Sequence, residues 1–192
     1  MTDTIPTTWE TKKLGDLGVF SKGSGITKSQ TIPSGIPCVR YGEIYTDHDF
    51  VIKEFKSFID EELANSSKQL QKGDLIFAGS GETADDIGKS VAFISEVEAY
   101  VGGDAIIFSP NGELNSLYLS FQLNADRVRK QLRKLGQGSS VIHIYSSNLS
   151  ELDVHVPPLG EQEKIADILS SLDDQIESIE SKLVQLEALK KS

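Results

Sequence analysis

The last fifth of this chain carries a continuous heptad pattern, which constrains the fold more than any other feature. Apolar residues alternate at spacings of four and three, at Ile165, Leu169, Leu172, Ile176, Ile179, Leu183 and Leu186. This periodicity is typical of a helix that pairs with another helix along one seam. Such a helix reaches about 45 Å at 1.5 Å per residue, more than a small domain needs to cover its own core. We therefore predict a partner helix; the alternative is a long amphipathic helix folded back on its own domain.

The residues beside this seam leave the identity of the partner open. With Leu169 at position a, the e positions hold Asp173, Glu180 and Glu187. In an antiparallel self-pair these carboxylates face one another and repel, so a symmetric homodimer must stagger them or keep water between them. Pairing with a different helix is equally allowed.

Two prolines mark the start of the helical segment. Pro157 and Pro158 remove two backbone donors and fix φ, so the preceding element must stop there. We predict a globular domain over 1–156 and a spacer and dimerisation helix over 157–192. The domain contains short apolar runs that predict strands of a mixed sheet, at 36–41, 74–77, 91–94, 105–108, 141–145 and 152–156. The run around 74–77 is apolar at consecutive positions, which predicts a strand buried on both faces. Helices are expected over 60–70 and 115–135, and the fold class is α+β.

The composition narrows the possible classes of protein. The 192 residues fit one domain with an appendage, and the net charge of −10 argues against nonspecific nucleic-acid binding. One cysteine, Cys38, excludes an internal disulfide. No apolar run approaches the ~20 residues that span a bilayer, and the first residues lack the pattern of a secretion signal. We expect a cytoplasmic protein without membrane contact.

The average charge conceals one basic segment. On a helical wheel, the apolar residues of 115–135 share one side, while the opposite side, the basic face, is formed by Arg127, Arg129, Lys130, Arg133 and Lys134. The segment runs directly into the glycine- and serine-rich residues 136–140. Such a face contacts phosphate, or it is a solvated surface whose cations suit a helix C-terminus. The residues alone leave both interpretations open.

The sequence contains no catalytic constellation. The segment 88–90 lacks the first glycine of a phosphate-binding loop, because position 83 is threonine. Ser80 lacks the flanking glycines of a nucleophile elbow. The three histidines have no partners at metal-ligand spacing, and one cysteine does not support a structural zinc site. We expect a binding module without enzymatic activity and without a metal or cofactor of its own.

Short motifs recur through nearly the whole chain, at 9–16, 35–44, 70–77, 79–81, 100–104 and 136–140. The most specific is Val-Pro-Pro-Leu-Gly-Glu-Gln-Glu-Lys-Ile-Ala at 156–166, which leads into the heptad helix. The order of these motifs resembles the specificity subunit of type I restriction-modification systems. The chain departs from the family pattern in one respect: a complete subunit has two recognition domains and two conserved helices, and this chain has one of each.

The resemblance implies a target recognition domain for double-stranded DNA, followed by a helix that acts as spacer and docking surface. Such subunits neither cut nor methylate DNA. They hold modification subunits, which methylate adenine with S-adenosylmethionine, and restriction subunits, where Mg²⁺ and ATP are expected. Two copies of this chain, or this chain with another half-subunit, would restore a two-part DNA reader through the heptad helix.

Candidate DNA contacts divide into two groups, because phosphate contacts set position and base contacts set sequence. The phosphate candidates are the basic face and Lys89. Groove candidates are Lys22, Arg40, Tyr41, Ser80, Thr83, Gln137, Ser139, Ser140 and His143. For each, the alternative is an ordinary turn or surface residue. Two other functions stay open: a coiled-coil adaptor that binds protein rather than DNA and, from charge alone, an acidic DNA mimic.

Overall fold

The computed structural model of the chain describes residues 6–138 and 141–191, so Ser139 and Ser140 lie outside the described residues. The strands are β1 (Glu10–Lys13), β2 (Gly18–Lys22), β3 (Ile36–Val39), β4 (Ser57–Ile59), β5 (Lys68–Gln69), β6 (Leu75–Ala78), β7 (Ser80–Gly81), β8 (Ser90–Ala92), β9 (Tyr100–Val101), β10 (Ala105–Pro110), β11 (Ile142–His143) and β12 (Asp153–Val156). The α-helices are α1 (Glu43–Thr46), α2 (Glu61–Ser66), α3 (Ser116–Asn124), α4 (Asp126–Leu135), α5 (Ser146–Ser150) and α6 (Leu159–Lys191). The α+β class with a long C-terminal helix is confirmed.

The centre of the domain is an antiparallel sheet in the order β2-β10-β6-β8. Every residue of β6 is buried, which confirms the prediction of a strand covered on both faces. Leu75 and Phe77 belong to one hydrophobic cluster, which includes residues of α3 and α4. Ile76 and Ala78 belong to a second cluster on the other face. Two hydrophobic layers therefore hold this strand at the middle of the domain.

The remaining strands form a second sheet and two ribbons. The second sheet has the order β4-β3-β9-β5, in which β3 and β9 run parallel and the other pairs antiparallel. The ribbons are β1 with β12 and β7 with β11. The strands predicted from sequence are present, but they are divided among four groups. Helix α2 is shorter than expected: the Asp60 side chain caps its start by accepting from Leu63 N at 2.8 Å, and Ser67 after its end is extended.

The predicted helix over 115–135 is two helices, which corrects the sequence expectation. Ala125 is extended between α3 and α4, with φ −71° and ψ 149°. The side chain of Asn124 fixes the end of α3 to β8, because Nδ2 donates to Ser90 O at 2.7 Å and Oδ1 accepts from Ser90 N at 3.2 Å. After the break, α4 turns Val128 and Leu132 into the core, whereas Arg127, Lys130, Arg133 and Lys134 are exposed and Arg129 is partly buried.

The first turns of α6 pack on the globular domain. Strand β1 pairs with β12, directly before Pro157, and Trp9 Nε1 donates to Glu161 Oε2 at 2.9 Å. Gln162 is buried: its Oε1 accepts from Asn115 N at 2.9 Å and its Nε2 donates to Pro157 O at 2.8 Å. Contacts therefore cross the predicted boundary between 1–156 and 157–192, and that boundary stays a prediction.

Further along α6, polar contacts still join the helix to the domain, but most of its apolar seam is exposed. Lys53 Nζ contacts Asp174 Oδ1 at 2.8 Å and Glu177 Oε1 at 2.6 Å. The seam residues Leu172, Ile176, Ile179, Leu183 and Leu186 are 49–57% exposed, whereas Ile165 and Leu169 are partly buried. Most of the seam therefore does not pack on the domain. Within the described residues, no helix is long and apolar enough to cross a membrane.

Candidate nucleic-acid interface

The β7–β11 ribbon brings two predicted DNA-contact residues together. Ser80 lies opposite His143 in the antiparallel register, and Ser80 Oγ is 2.9 Å from His143 Nδ1. On the other side of β11, the backbone of His143 exchanges two hydrogen bonds with Gln137, at 2.7 and 2.9 Å. The His143 backbone is therefore held from both sides, and its side chain is exposed.

A first cleft of about 360 Å³ opens beside this ribbon. Lys22, Ser80 and His143 all line it, although they come from β2, β7 and β11. Tyr145 also lines the cleft and is 53% exposed. Sequence reasoning missed Tyr145; the signal was an aromatic residue at the end of an apolar run, directly before α5. The cleft thus combines a cation, a hydroxyl, an imidazole and an exposed aromatic ring.

A second cleft of about 670 Å³ also includes Ser80 in its lining. Tyr41, Tyr45 and Lys89 line it, with Ser80 shared between the two clefts. Tyr45 Oη donates to Ser80 O at 2.9 Å, and burial raises the pKa of the Tyr45 phenol. Lys89 Nζ donates to His48 O at 2.7 Å, and burial lowers its pKa. The ammonium of Lys89 therefore lies partly inside the domain, at the edge of the cleft.

The basic face is divided by its contacts. Arg129 donates to Ile87 O at 2.8 Å and also to Asp85 O, and Arg133 Nε contacts Asp85 Oδ1 at 2.6 Å. Burial lowers the pKa of Arg129. These two arginines hold the acidic loop, residues 82–88, against α4. The other three residues of the face are Arg127, Lys130 and Lys134, which are exposed; Arg133 is exposed as well but is held in its ion pair.

The acidic loop has its own internal hydrogen bonds. Thr83 Oγ1 donates to Asp86 Oδ2 at 2.5 Å and accepts from Asp86 N at 3.2 Å. Thr83 is exposed, so its side chain orders the loop while remaining at the surface. Gly88 ends the loop with φ 70°, and a Cβ there would meet Leu132 Cδ2 at 2.9 Å. This position therefore requires glycine for its backbone conformation and for its close approach to α4.

Arg40 is partly buried and makes an ion pair inside the domain. Its Nη2 is 2.6 Å from Glu43 Oε1, and its Nε donates to Glu43 Oε1 at 2.9 Å and to Ser57 Oγ at 3.1 Å. Glu43 is 3% exposed and also accepts from the Arg40 backbone N–H at 3.1 Å and from the Ser57 hydroxyl. The guanidinium of Arg40 thus compensates the charge of a buried carboxylate. Tyr41, the next groove candidate in the chain, is exposed.

Within the described part of the chain, no group of three or more His, Cys, Asp or Glu side chains lies where it could hold a metal ion. Burial lowers the pKa of both His48 and His155, and the Nε2 atom of each is buried without a hydrogen-bond partner among the described residues. Burial raises the pKa of the Cys38 thiol to about 12, which makes it a poor nucleophile.

Residues 6–188 match the family model described as the type I restriction modification DNA specificity domain. A putative type I restriction enzyme specificity subunit of Haemophilus influenzae is 29% identical over 175 residues, which are 87% of this chain and 41% of that protein. The MjaVIII specificity subunit of Methanocaldococcus jannaschii is 26% identical and covers 97% of this chain. This chain spans 44% of the length of that relative.

The fold is similar to a solved structure. The type I restriction-modification system S subunit from M. genitalium superposes with a TM-score of 0.64 at 16% identity, over 94% of this chain and 43% of that one. None of these comparisons favours the coiled-coil adaptor or the acidic mimic. The chain therefore spans a little under half of the length of these proteins, which are named as specificity subunits.

Proposed function

The chain belongs to the family of type I restriction modification DNA specificity domains, and on that premise we propose that it recognises one half of a bipartite double-stranded DNA site. The observation that carries this proposal is the β7–β11 ribbon, whose Ser80 lines both clefts. A two-stranded ribbon fits a major groove about 12 Å wide, where polar side chains reach base edges. Ser80 and His143 lie on this ribbon, and Lys22 lies across the first cleft.

Phosphate contact is proposed for the residues of the basic face that do not hold the acidic loop. Arg127, Lys130 and Lys134 are exposed on the helix that supports the acidic loop. Lys89, Arg129 and Arg133 support the interface in another way, because their contacts hold the acidic loop and the 47–49 segment in place. The net charge of −10 still predicts weak DNA binding by the isolated chain and strong binding when partner subunits enclose the duplex.

We assign the chemistry of the complex to partner subunits. The chain itself is proposed to be non-catalytic, with no cofactor. S-adenosylmethionine belongs to the modification subunits, and Mg²⁺ and ATP belong to the restriction subunits. The proposed site of action is the cytoplasm, with no membrane contact.

The exposed seam of α6 is proposed to restore the two-part reader. Its apolar residues are about half exposed, which supports pairing of this helix with a second copy or with another half-subunit. Two identical halves related by a two-fold axis predict a palindromic, interrupted DNA site. The acidic e positions, including Asp173, would repel one another in a self-pair, so pairing with a different half-subunit is equally compatible with the sequence.

The proposed function is tested by mapping methylated adenines across the genome in cells with and without the gene. We expect one bipartite motif to lose methylation when the gene is deleted. An unchanged methylation map would refute the proposal. Light scattering of the purified chain at micromolar concentration decides the homodimer question, because a monomer there excludes self-pairing.

A further inference from the structure

The Ser80–His143 pair defines which atom of the first cleft faces a base. The imidazole is fixed through its backbone, because His143 is paired with Ser80 in β7 and with Gln137 on the other side. It is fixed through its ring as well, because Nδ1 lies 2.9 Å from Ser80 Oγ. The remaining ring nitrogen, Nε2, is therefore the one that a ligand in the cleft can bind.

The burial of Ser80 decides the proton position on this ring. Ser80 is 7% exposed, and of the described residues only His143 gives its hydroxyl a hydrogen-bond partner. If Nδ1 carried the proton, the Ser80 hydroxyl would accept, and its own proton would be left in a buried position without an acceptor. If the hydroxyl donates to Nδ1, the Ser80 proton has an acceptor, and the neutral ring carries its own proton on Nε2 of the exposed side chain.

We propose that His143 recognises a hydrogen-bond acceptor on a base edge through Nε2–H, and that Ser80 is the positioning residue that sets this polarity. In the major groove the acceptors are N7 and O6 of guanine, N7 of adenine and O4 of thymine, whereas the amino groups of cytosine and adenine donate. This inference rests on the proposed DNA recognition and goes beyond it, because it assigns one base contact, its direction and the side chain that controls it. Lys22 and Tyr145 line the same cleft and bound the space that the base edge enters.

The inference is tested with the full chain assembled with its modification subunits, by selection of bound sequences from a random duplex library. For the wild type we expect a bipartite motif. His143→Ala should lose the preference at one position of each half-site by at least about fivefold and leave the other positions unchanged. The matched pair His143→Gln and His143→Glu differs mainly in polarity. The amide of Gln still donates and should retain the preferred base, whereas the carboxylate of Glu only accepts and should shift selection to a base pair that presents an amino group there.

Ser80→Ala should weaken the preference at the same position. A ¹H–¹⁵N spectrum of the imidazole separates positioning from simple packing: the wild type should show the Nε2-protonated tautomer of His143, and Ser80→Ala should show a mixture. Ser147→Ala is the matched control, because Ser147 is exposed and lies outside the lining of both clefts; it should leave the motif and the spectrum unchanged.

The outcomes separate the two levels of the proposal. A wild-type motif that His143→Ala and His143→Glu both leave unchanged overturns the inference and leaves DNA recognition standing. A spectrum with the proton on Nδ1 overturns the assigned polarity. A wild-type complex that selects no sequence overturns the proposed function, and the base contact with it.

Discussion

Replacement of Arg40 by methionine separates two roles for this residue. From its position at a strand end, the sequence predicts that Arg40 contacts a base, so that its loss relaxes preference at one position of the DNA site. The structure instead pairs its guanidinium with the carboxylate of Glu43, which is 3% exposed. Arg40→Met keeps most of the side-chain volume and removes the charge, so it leaves a buried carboxylate without its cation.

The expected cost follows from that burial. Breaking a buried ion pair by removing one partner costs about 3–5 kcal/mol. The Ser57 hydroxyl and the backbone N–H of residue 40 still donate to Glu43, so we expect the lower end, about 3 kcal/mol. For a chain of this size that corresponds to a fall in Tm of roughly 10 °C. Arg40→Met/Glu43→Gln should recover most of the loss, because the neutral amide needs no cation: its oxygen still accepts from the backbone N–H of residue 40, and its NH2 group can donate to the Ser57 hydroxyl.

Urea unfolding of the wild type, both single variants and the double variant, followed by circular dichroism, measures these free energies. The reasoning is refuted if Arg40→Met destabilises the chain by less than about 1 kcal/mol, or if the double variant is no more stable than the Arg40 single variant. A stable Arg40→Met variant with relaxed base preference would restore the role predicted from sequence.

Four further results are expected. Glutamine at Arg127, Lys130 and Lys134 should weaken DNA binding equally across sequences. It should also reduce the slope of log K against log salt by up to about 0.9 for each phosphate that is no longer neutralised. An unchanged slope would remove α4 from the interface. Ile176→Asp should abolish assembly in analytical ultracentrifugation while Tm stays within a few degrees, because the side chain is already 54% exposed; retained assembly would contradict the seam as the interface. Gly88→Ala should cost about 1–2 kcal/mol, and more than the control Gly112→Ala, because both have φ 70° but only Gly88 meets Leu132; equal losses would mean that strain alone acts. Because burial lowers the pKa of His48, the unfolded chain binds the proton more readily, so the free energy of unfolding should be retained above about pH 6.5 and fall below it. His48→Gln should reduce the difference between pH 7.5 and 5.5, and the remainder includes the contribution of His155, whose pKa is lowered in the same way.

The sequence by itself determined the features that depend on neighbouring residues. The heptad spacing predicted α6 and its exposed seam, and the consecutive apolar residues predicted the fully buried β6. Two prolines correctly marked the end of β12, because their backbone cannot continue a strand. Periodicity and proline geometry act within a few residues, so they can be recognised without knowledge of the fold.

Only the tertiary structure decided which polar residues stay available to a ligand. Arg129 looked equivalent to Lys130 on a helical wheel, yet it is bound to the acidic loop more than forty positions earlier in the chain, whereas Lys130 is exposed. Lys22, Ser80 and His143 were each predicted as separate loop or edge residues, and the sheets bring them to one cleft. Hydrogen bonds and ion pairs join side chains that are distant in sequence. The folded chain therefore decides which donors and acceptors already have a partner and which remain available to a ligand.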